Sequence, residues 1–172
     1  EAHADGIEQL VVFNKGAQFS LATLGESIEE IDLYMDSKEG ADWDVEMVAV
    51  EQFSDDERFR SLFAQVLDRD AKRFFPNTPS EDVCLFIASH GLPLRLINMG
   101  DPATEQMLEV VDDLKERLPQ YPIYHGFLND DFFPGAAWVD PPSDDTAWDI
   151  RNDACPATLM DGRLSFTTHH RA

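Results

Sequence analysis

Short apolar runs along the first 125 positions predict four buried strands. They cover residues 10–13, 45–50, 83–88 and 122–124. Val83 to Ala88 is the most apolar run in the chain. A run without polar alternation is typical of a central strand in a parallel sheet that is covered on both faces. The pattern therefore places residues 83–88 at the centre of the predicted sheet.

Amphipathic segments separate these runs. Thr23 and Glu26 form a Thr-x-x-Glu capping box ahead of a first helix, and residues 59–67 and 107–118 carry apolar positions at helical spacing. Asp101 and Pro102 have the residue types of an N-cap and a first helical position. The alternation of strands and helices predicts an α/β fold with a doubly wound parallel sheet of about four strands, flanked by helices.

The character of the chain changes after residue 128. Residues 129–153 are rich in Asp, Pro and aromatic residues. We expect residues 1–128 to form the α/β core, and residues 129–172 to be an irregular loop and C-terminal segment of the same domain. Within that second part the pattern predicts at most a short helix around residues 144–150 and no fifth strand.

Composition excludes several classes of partner. The 172-residue chain has a formal net charge of −21, so it offers phosphates no basic face and nucleic acid is an unsuitable partner. No apolar run reaches the roughly 20 residues of a transmembrane helix. The two cysteines, Cys84 and Cys155, form neither a disulfide framework nor a Cys-x-x-Cys pair. The small number and wide spacing of the cysteines predict a reducing, cytoplasmic location.

Two histidines follow predicted strands. His90 comes directly after the run at 83–88, and His125 comes directly after the fourth strand; each is followed by Gly. Ligands of open parallel sheets bind at the carboxyl ends of the strands, so we expect both imidazoles at one edge. There they could bind a divalent metal or accept a proton near neutral pH. The alternative is that both are ordinary loop residues.

Other sequence features bear on metal binding, nucleotide binding and hydrolysis. The adjacent pair His169-His170 could contribute a metal ligand or could be an exposed terminus. The sequence has no Gly-rich phosphate loop and no Gly-x-Ser-x-Gly nucleophile elbow. Nucleotide binding and serine hydrolysis are accordingly disfavoured.

Four segments, in the same order and at similar spacing, resemble the ferrochelatase family. The central one is Ser89-His90-Gly91-Leu92-Pro93 followed by Gly100-Asp101-Pro102. Upstream, Gln18-Phe19-Ser20 and Thr23-Leu24-Gly25-Glu26-Ser27 resemble the family's "Gln-Tyr-Ser … Thr-x-Gly-Ser-Ser" stretch. Downstream, residues 138–146 resemble its "Trp-Leu-x-Pro-x-Thr-Asp-Glu-Thr" segment. The likeness extends from about Leu10 to Thr146.

The resemblance implies a chelatase-like fold and a lyase that inserts Fe²⁺ into a porphyrin in heme biosynthesis. Both iron and porphyrin would be substrates, with no permanently bound cofactor. It also implies that His90 is the active-site histidine, which accepts a pyrrole proton or meets the metal. Our candidate metal ligands are His90, His125 and His169. The candidate substrate-binding residues are Leu92, Pro93, Arg95, Trp138, Phe132 and Phe133.

The chain departs from the family in two ways that matter for function. The likeness covers only the C-terminal half, so we expect a second chelatase domain or a homodimer partner to close the tetrapyrrole cleft. The acidic partner of the histidine is also missing, with Ser165 near its place and His169 as a possible substitute. Two alternatives follow. One is a non-catalytic tetrapyrrole- or metal-binding module, and the other is a cobalt or nickel chelatase.

Overall fold

A computed structural model describes residues 2–129, 135–153, 155–161 and 164 of the chain. Strands and helices alternate through this part of the molecule. In chain order they are β1 (Gln9–Phe13), α1 (Glu26–Met35), β2 (Glu46–Val50), α2 (Glu57–Phe74), β3 (Val83–His90), α3 (Leu94–Asn98), α4 (Ala103–Arg117), β4 (Ile123–Leu128), α5 (Ser143–Asn152) and β5 (Ala157–Asp161).

All paired strands are parallel, and they form two sheets. One is the pair β1-β2, and the other has the order β4-β3-β5. The predicted α/β class with parallel strands and flanking helices is confirmed. The expectation of one four-stranded sheet without a fifth strand is wrong. The missed strand, Ala157–Asp161, is a short edge strand that alternates between half-buried and exposed positions, so it lacks the unbroken apolar run that marks β3.

The core lies around β3. Helices α2 and α4 pack on one face of the three-stranded sheet, where Leu67, Leu85, Val110 and Leu114 are fully buried. Helix α5 packs on the other face, where Ile150 contacts a smaller cluster. Leu62 belongs to the apolar positions at 59–67 that were predicted to face the core, but its side chain is exposed. None of the helices in the described ranges is long and apolar enough to cross a membrane.

Two helix starts show how local capping works in this chain. The predicted Thr23 capping box is not used: Ser20 caps one turn of wider, π-type helix ahead of α1, and its Oγ accepts a hydrogen bond from the Ala22 amide. At α4, the Asp101 carboxylate accepts a hydrogen bond from the Ala103 amide at 3.0 Å, which is the capping role that the sequence predicted for it.

Cys84 and Cys155 are joined by a disulfide bond, with their Cα atoms 6.0 Å apart. The expectation that these cysteines stay unpaired is therefore wrong, and it no longer supports a reducing compartment. The error arose because the two residues lie 71 positions apart in the sequence. They meet only when the segment before β5 packs against the start of β3.

Candidate active site

His90 is the last residue of β3 and the first exposed one. The seven residues before it are all buried. The backbone thus leaves the sheet at a point where a side chain can reach a ligand, as expected at the carboxyl end of a parallel strand. The sequence prediction for His90 rested on this position, and the structure places the residue there.

The His90 ring forms a hydrogen bond with the backbone beside it. Its Nδ1 lies 2.8 Å from the carbonyl oxygen of Gly91. A carbonyl oxygen only accepts, so Nδ1 must carry the proton and donate it. The neutral ring then has its lone pair on Nε2, which is the atom able to take a proton or bind a metal.

The Asn129 side chain occupies the space that a side chain at position 91 would need. A Cβ atom at position 91 would lie 1.9 Å from Asn129 Oδ1. The amide group of Asn129 in turn donates to the Val139 carbonyl at 3.0 Å, and the Gly91 amide donates to the Leu128 carbonyl at 2.9 Å. These contacts fix the turn after His90 against the end of β4. Sequence reasoning missed Asn129, because the predicted fourth strand ended at residue 124 and only the structure shows that β4 extends to Leu128, directly before Asn129.

Residues 92–94 and 137–139 form a short antiparallel pairing beside His90. The Leu94 amide donates to the Ala137 carbonyl at 2.8 Å, the Val139 amide donates to the Leu92 carbonyl at 3.1 Å, and Pro93 pairs with Trp138. Three predicted substrate-binding residues, Leu92, Pro93 and Trp138, therefore lie together, each half-buried. Leu92 also packs against the main core.

The remaining predicted residues fall in different places. Arg95 is exposed on α3. Phe132, Phe133, Ser165 and His169 lie outside the described residues. Within the described part, no group of three or more His, Cys, Asp or Glu side chains is arranged to hold a metal ion.

His125 does not join His90. Strand β4 extends to Leu128, which pairs with His90, so His125 lies three residues, about 10 Å, before the sheet edge. Because side chains alternate along a strand, His125 shares the face of its partner Ile87, and His90 is on the opposite face. The expectation that both imidazoles meet at one edge is therefore wrong. The cause is that the fourth strand is longer than predicted.

His125 is half-buried and packs against neighbouring side chains of the sheet. Its ring lies edge-on to Phe127 at 4.6 Å between centroids, and Nε2 is 2.9 Å from the Ser89 hydroxyl. Burial lowers the pKa of His125 from 6.5 to about 4, with a further lowering by Lys115 that Asp112 opposes. A neutral, hydrogen-bonded histidine fits a structural role. Ser89 is completely buried, so the pair has no access to a substrate as nucleophile and base.

Asp101 connects two of the segments that carry the family likeness. Its buried carboxylate accepts hydrogen bonds from the Ser20 hydroxyl at 2.7 Å and the Leu21 amide at 2.8 Å. On α4, Gln106 accepts from the Phe19 amide at 2.9 Å. The segment after β1 is thereby held against the start of α4. Asp101 thus links the segment after β1 to the start of α4 through charge-assisted hydrogen bonds.

Comparison with known proteins identifies the family to which the chain is similar. A family model described as ferrochelatase matches residues 1–170. The chain is 27% identical to the mitochondrial ferrochelatase of Xenopus laevis over 146 residues, which is 85% of this chain and 35% of that protein. It is 26% identical to the ferrochelatase of Geotalea uraniireducens over 166 residues, 96% of this chain and 49% of that protein. The chain thus spans about a third to a half of these relatives' length.

Proposed function

The chain belongs to the ferrochelatase family, and we propose that it forms one half of an enzyme that inserts Fe²⁺ into a porphyrin. The observation that carries the proposal is His90, the exposed last residue of a buried strand, with its Nδ1 proton donated to Gly91. The Asp101 link and the paired segments at 92–94 and 137–139 hold the surrounding backbone in place.

The reaction requires a base. Insertion replaces two pyrrole N–H bonds with metal–nitrogen bonds, so porphyrin and Fe²⁺ give the iron porphyrin and two protons. His90 Nε2 takes one pyrrole proton and passes it to water, since the side chain is exposed. The second proton leaves to water. Pro93 and Trp138 supply an apolar wall beside the histidine.

Two features of the proposed site lie beyond the described residues of this chain. A second chelatase domain, or a second copy of this chain, forms the other wall of the cleft. The acidic partner that the family places near the histidine is replaced by Ser165 in our alignment, with His169 as a substitute. We therefore propose weak insertion activity for the 172-residue chain alone.

A second candidate function is a tetrapyrrole-binding module without catalysis. It is favoured by one observation: the described residues bring no group of His, Cys, Asp or Glu together around a metal. A cobalt or nickel chelatase acting on a carboxylate-rich tetrapyrrole is less favoured. Arg95 is the only arginine within ten residues of His90 in the sequence, which gives such a substrate little basic anchoring.

The test is a porphyrin titration with and without Fe²⁺, on the wild-type chain and on His90→Ala. We expect the variant to lose insertion by about 100-fold or more, and to keep its porphyrin affinity. Its free energy of unfolding should change by no more than about 0.5 kcal/mol, as at other exposed positions. His3→Ala is the matched control, because it removes an imidazole from a different part of the molecule.

Each result separates the candidates. Insertion by the wild type that survives in His90→Ala would remove His90 from the mechanism. Porphyrin binding by the wild type without insertion selects the binding module. Unfolding of His90→Ala would show that the residue is structural.

A further inference from the structure

The usefulness of His90 depends on which of its ring nitrogens carries the proton. In a neutral histidine, the hydrogen bond made by one ring nitrogen sets the tautomer. Here the Gly91 carbonyl oxygen lies 2.8 Å from Nδ1 and holds the proton on that atom. His90 is exposed, so water can compete for this bond. The direction of the Gly91 carbonyl therefore decides how much of the time Nε2 keeps its lone pair.

A closed ring of hydrogen bonds fixes the backbone on both sides of this carbonyl. The Gly91 amide donates to the Leu128 carbonyl at 2.9 Å, and the Val139 amide donates to the Leu92 carbonyl at 3.1 Å. Asn129 closes the ring, because it follows Leu128 in the chain and its side-chain amide donates to the Val139 carbonyl at 3.0 Å. The other two bonds join backbone groups, so a side chain enters the ring at Asn129.

The Asn129 side chain also fills the space beside Gly91. A Cβ atom at position 91 would lie 1.9 Å from Asn129 Oδ1 and 3.3 Å from the Leu128 carbonyl oxygen. Gly91 does not have a positive φ, so its backbone conformation is open to alanine. A side chain at position 91 would thus disturb the contact with Asn129 rather than the backbone angles.

We propose that Asn129 is a positioning residue for His90, which holds the Gly91 carbonyl in the direction that keeps the proton on Nδ1 and the lone pair on Nε2. Without the Asn129 amide the ring of hydrogen bonds is open. The peptide group between Gly91 and Leu92 can then turn its carbonyl toward water. The imidazole loses the acceptor at Nδ1 and populates the tautomer with the proton on Nε2.

The tautomer matters for the reaction, and in this respect the inference rests on the proposed function. His90 Nε2 takes a pyrrole proton with its lone pair, while Nδ1 keeps its own proton bound to Gly91. The Nε2 proton then passes to water, and the starting tautomer is restored. A ring that already carries its proton on Nε2 has no lone pair there to begin this cycle. Loss of Asn129 should therefore lower kcat and leave the KM for porphyrin unchanged.

The experiment is nitrogen NMR of the full chain labelled with ¹⁵N-histidine, without porphyrin or iron, at mildly alkaline pH where imidazoles are neutral. Protonated and unprotonated ring nitrogens have well-separated shifts, and the signal that disappears in His90→Gln belongs to His90. We expect the wild type to carry the proton on Nδ1. In Asn129→Ala the larger population should carry it on Nε2.

Asn14→Ala is the matched control. Asn14 directly follows β1 as Asn129 follows β4, and its side-chain amide donates to the carbonyls of Gln18 at 2.7 Å and Glu51 at 3.0 Å. It lies outside the ring of hydrogen bonds beside His90. We expect Asn14→Ala to leave the His90 tautomer as in the wild type.

Gly91→Ala provides a second, independent variant. Its methyl group takes the place of Asn129 Oδ1, so the Asn129 side chain must move away. We expect the same change of tautomer as in Asn129→Ala. The double variant should change the tautomer no further, because each substitution removes the same contact. In insertion assays, Asn129→Ala should lower kcat about tenfold, the usual scale for losing a group that orients a functional histidine.

The outcomes are separable. A wild-type His90 with its proton on Nε2 would overturn the inference, as would a tautomer that Asn129→Ala and Gly91→Ala both leave unchanged. An equal shift in Asn14→Ala, or a kcat that stays constant while the tautomer shifts, would also overturn it. Thermal unfolding checks the variants, and Gly91→Ala decides if Asn129→Ala does not fold. A shifted tautomer in a chain whose wild type inserts no iron rejects the proposed function and leaves the control of the His90 tautomer by Asn129 standing.

Discussion

The two sheets of this protein are built from similar sequence patterns and end in different surroundings. In β3, seven consecutive residues are buried between α2 and α4 on one face and α5 on the other. In β1, exposed and half-buried residues alternate, and Val11 and Phe13 are largely exposed. Each run is short and apolar, so pattern alone predicted a buried strand in both places. The difference shows that burial depends on how many helices and strands reach a given run.

The comparison predicts that most of the stability comes from the three-stranded sheet. The disulfide provides the largest test. Replacing both cysteines, as Cys84→Ser with Cys155→Ser, opens a loop of 71 residues. It should lower the free energy of unfolding by about 4 kcal/mol. Urea denaturation of the oxidised wild type and the double variant measures this. No change on loss of the bond would mean that α5 and β5 are held by packing alone.

A pair of truncations compares the sheets directly. Leu85 is fully buried at the centre of β3, and Leu85→Ala should cost about 3 kcal/mol through lost burial and the remaining cavity. Val11→Ala on β1 should cost no more than about 0.5 kcal/mol, since most of its side chain is already in water. The same urea titrations give both values. If both substitutions lowered the free energy of unfolding equally, the proposed difference in burial between β3 and β1 would be wrong.

The pH dependence of stability tests how well the α4 face of the three-stranded sheet is shielded from water. In the folded state the pKa of His125 is about 4, against an ordinary 6.5. The unfolded chain therefore binds the proton first. The contribution of neutral His125 to the free energy of unfolding is fully present above pH 6.5 and is lost as the pH falls toward 4. It amounts to at most about 3 kcal/mol.

His125→Gln should flatten the pH dependence between pH 6.5 and 4, because Gln can keep the hydrogen bond to Ser89 without titrating. Ser89→Ala is the control and should keep the pH dependence, because it removes the same hydrogen bond and leaves the titrating imidazole of His125 in place. Chemical denaturation at several pH values gives the two curves. A pH dependence of His125→Gln equal to that of the wild type would show that His125 is not the group that titrates.

Asp101 tests how the two sheets are connected. Asp101→Ala removes the acceptor for Ser20, Leu21 and Ala103, and should cost about 2 kcal/mol. Hydrogen exchange should accelerate in residues 9–50 much more than in β3. Uniform acceleration across the chain would show that the segment after β1 is not held separately by this carboxylate.

The site residue that the sequence placed correctly, His90, is the one whose position depends only on its neighbours in the chain. His90 follows the most apolar run directly, so its place at the end of β3 needed only the strand boundary. The prediction for His125 needed the same information and was wrong, because β4 continues to Leu128. Since side chains alternate along a strand, the extension of β4 by a few residues places His125 at a half-buried position within the strand, on the face opposite to that of His90. Asn129 became part of the site through the same extension.

The sequence by itself determined the α/β class, the order of β1 to β4 with α1, α2 and α4 between them, and the position of His90, because these depend on residues within a few positions of each other. Only the tertiary structure decided which strands share a sheet, which face each histidine occupies and which cysteines bond. Those outcomes depend on pairs far apart in the chain, such as Ser20 with Asp101 and Cys84 with Cys155. Their contacts follow from the packing of whole helices and strands, which no local pattern encodes.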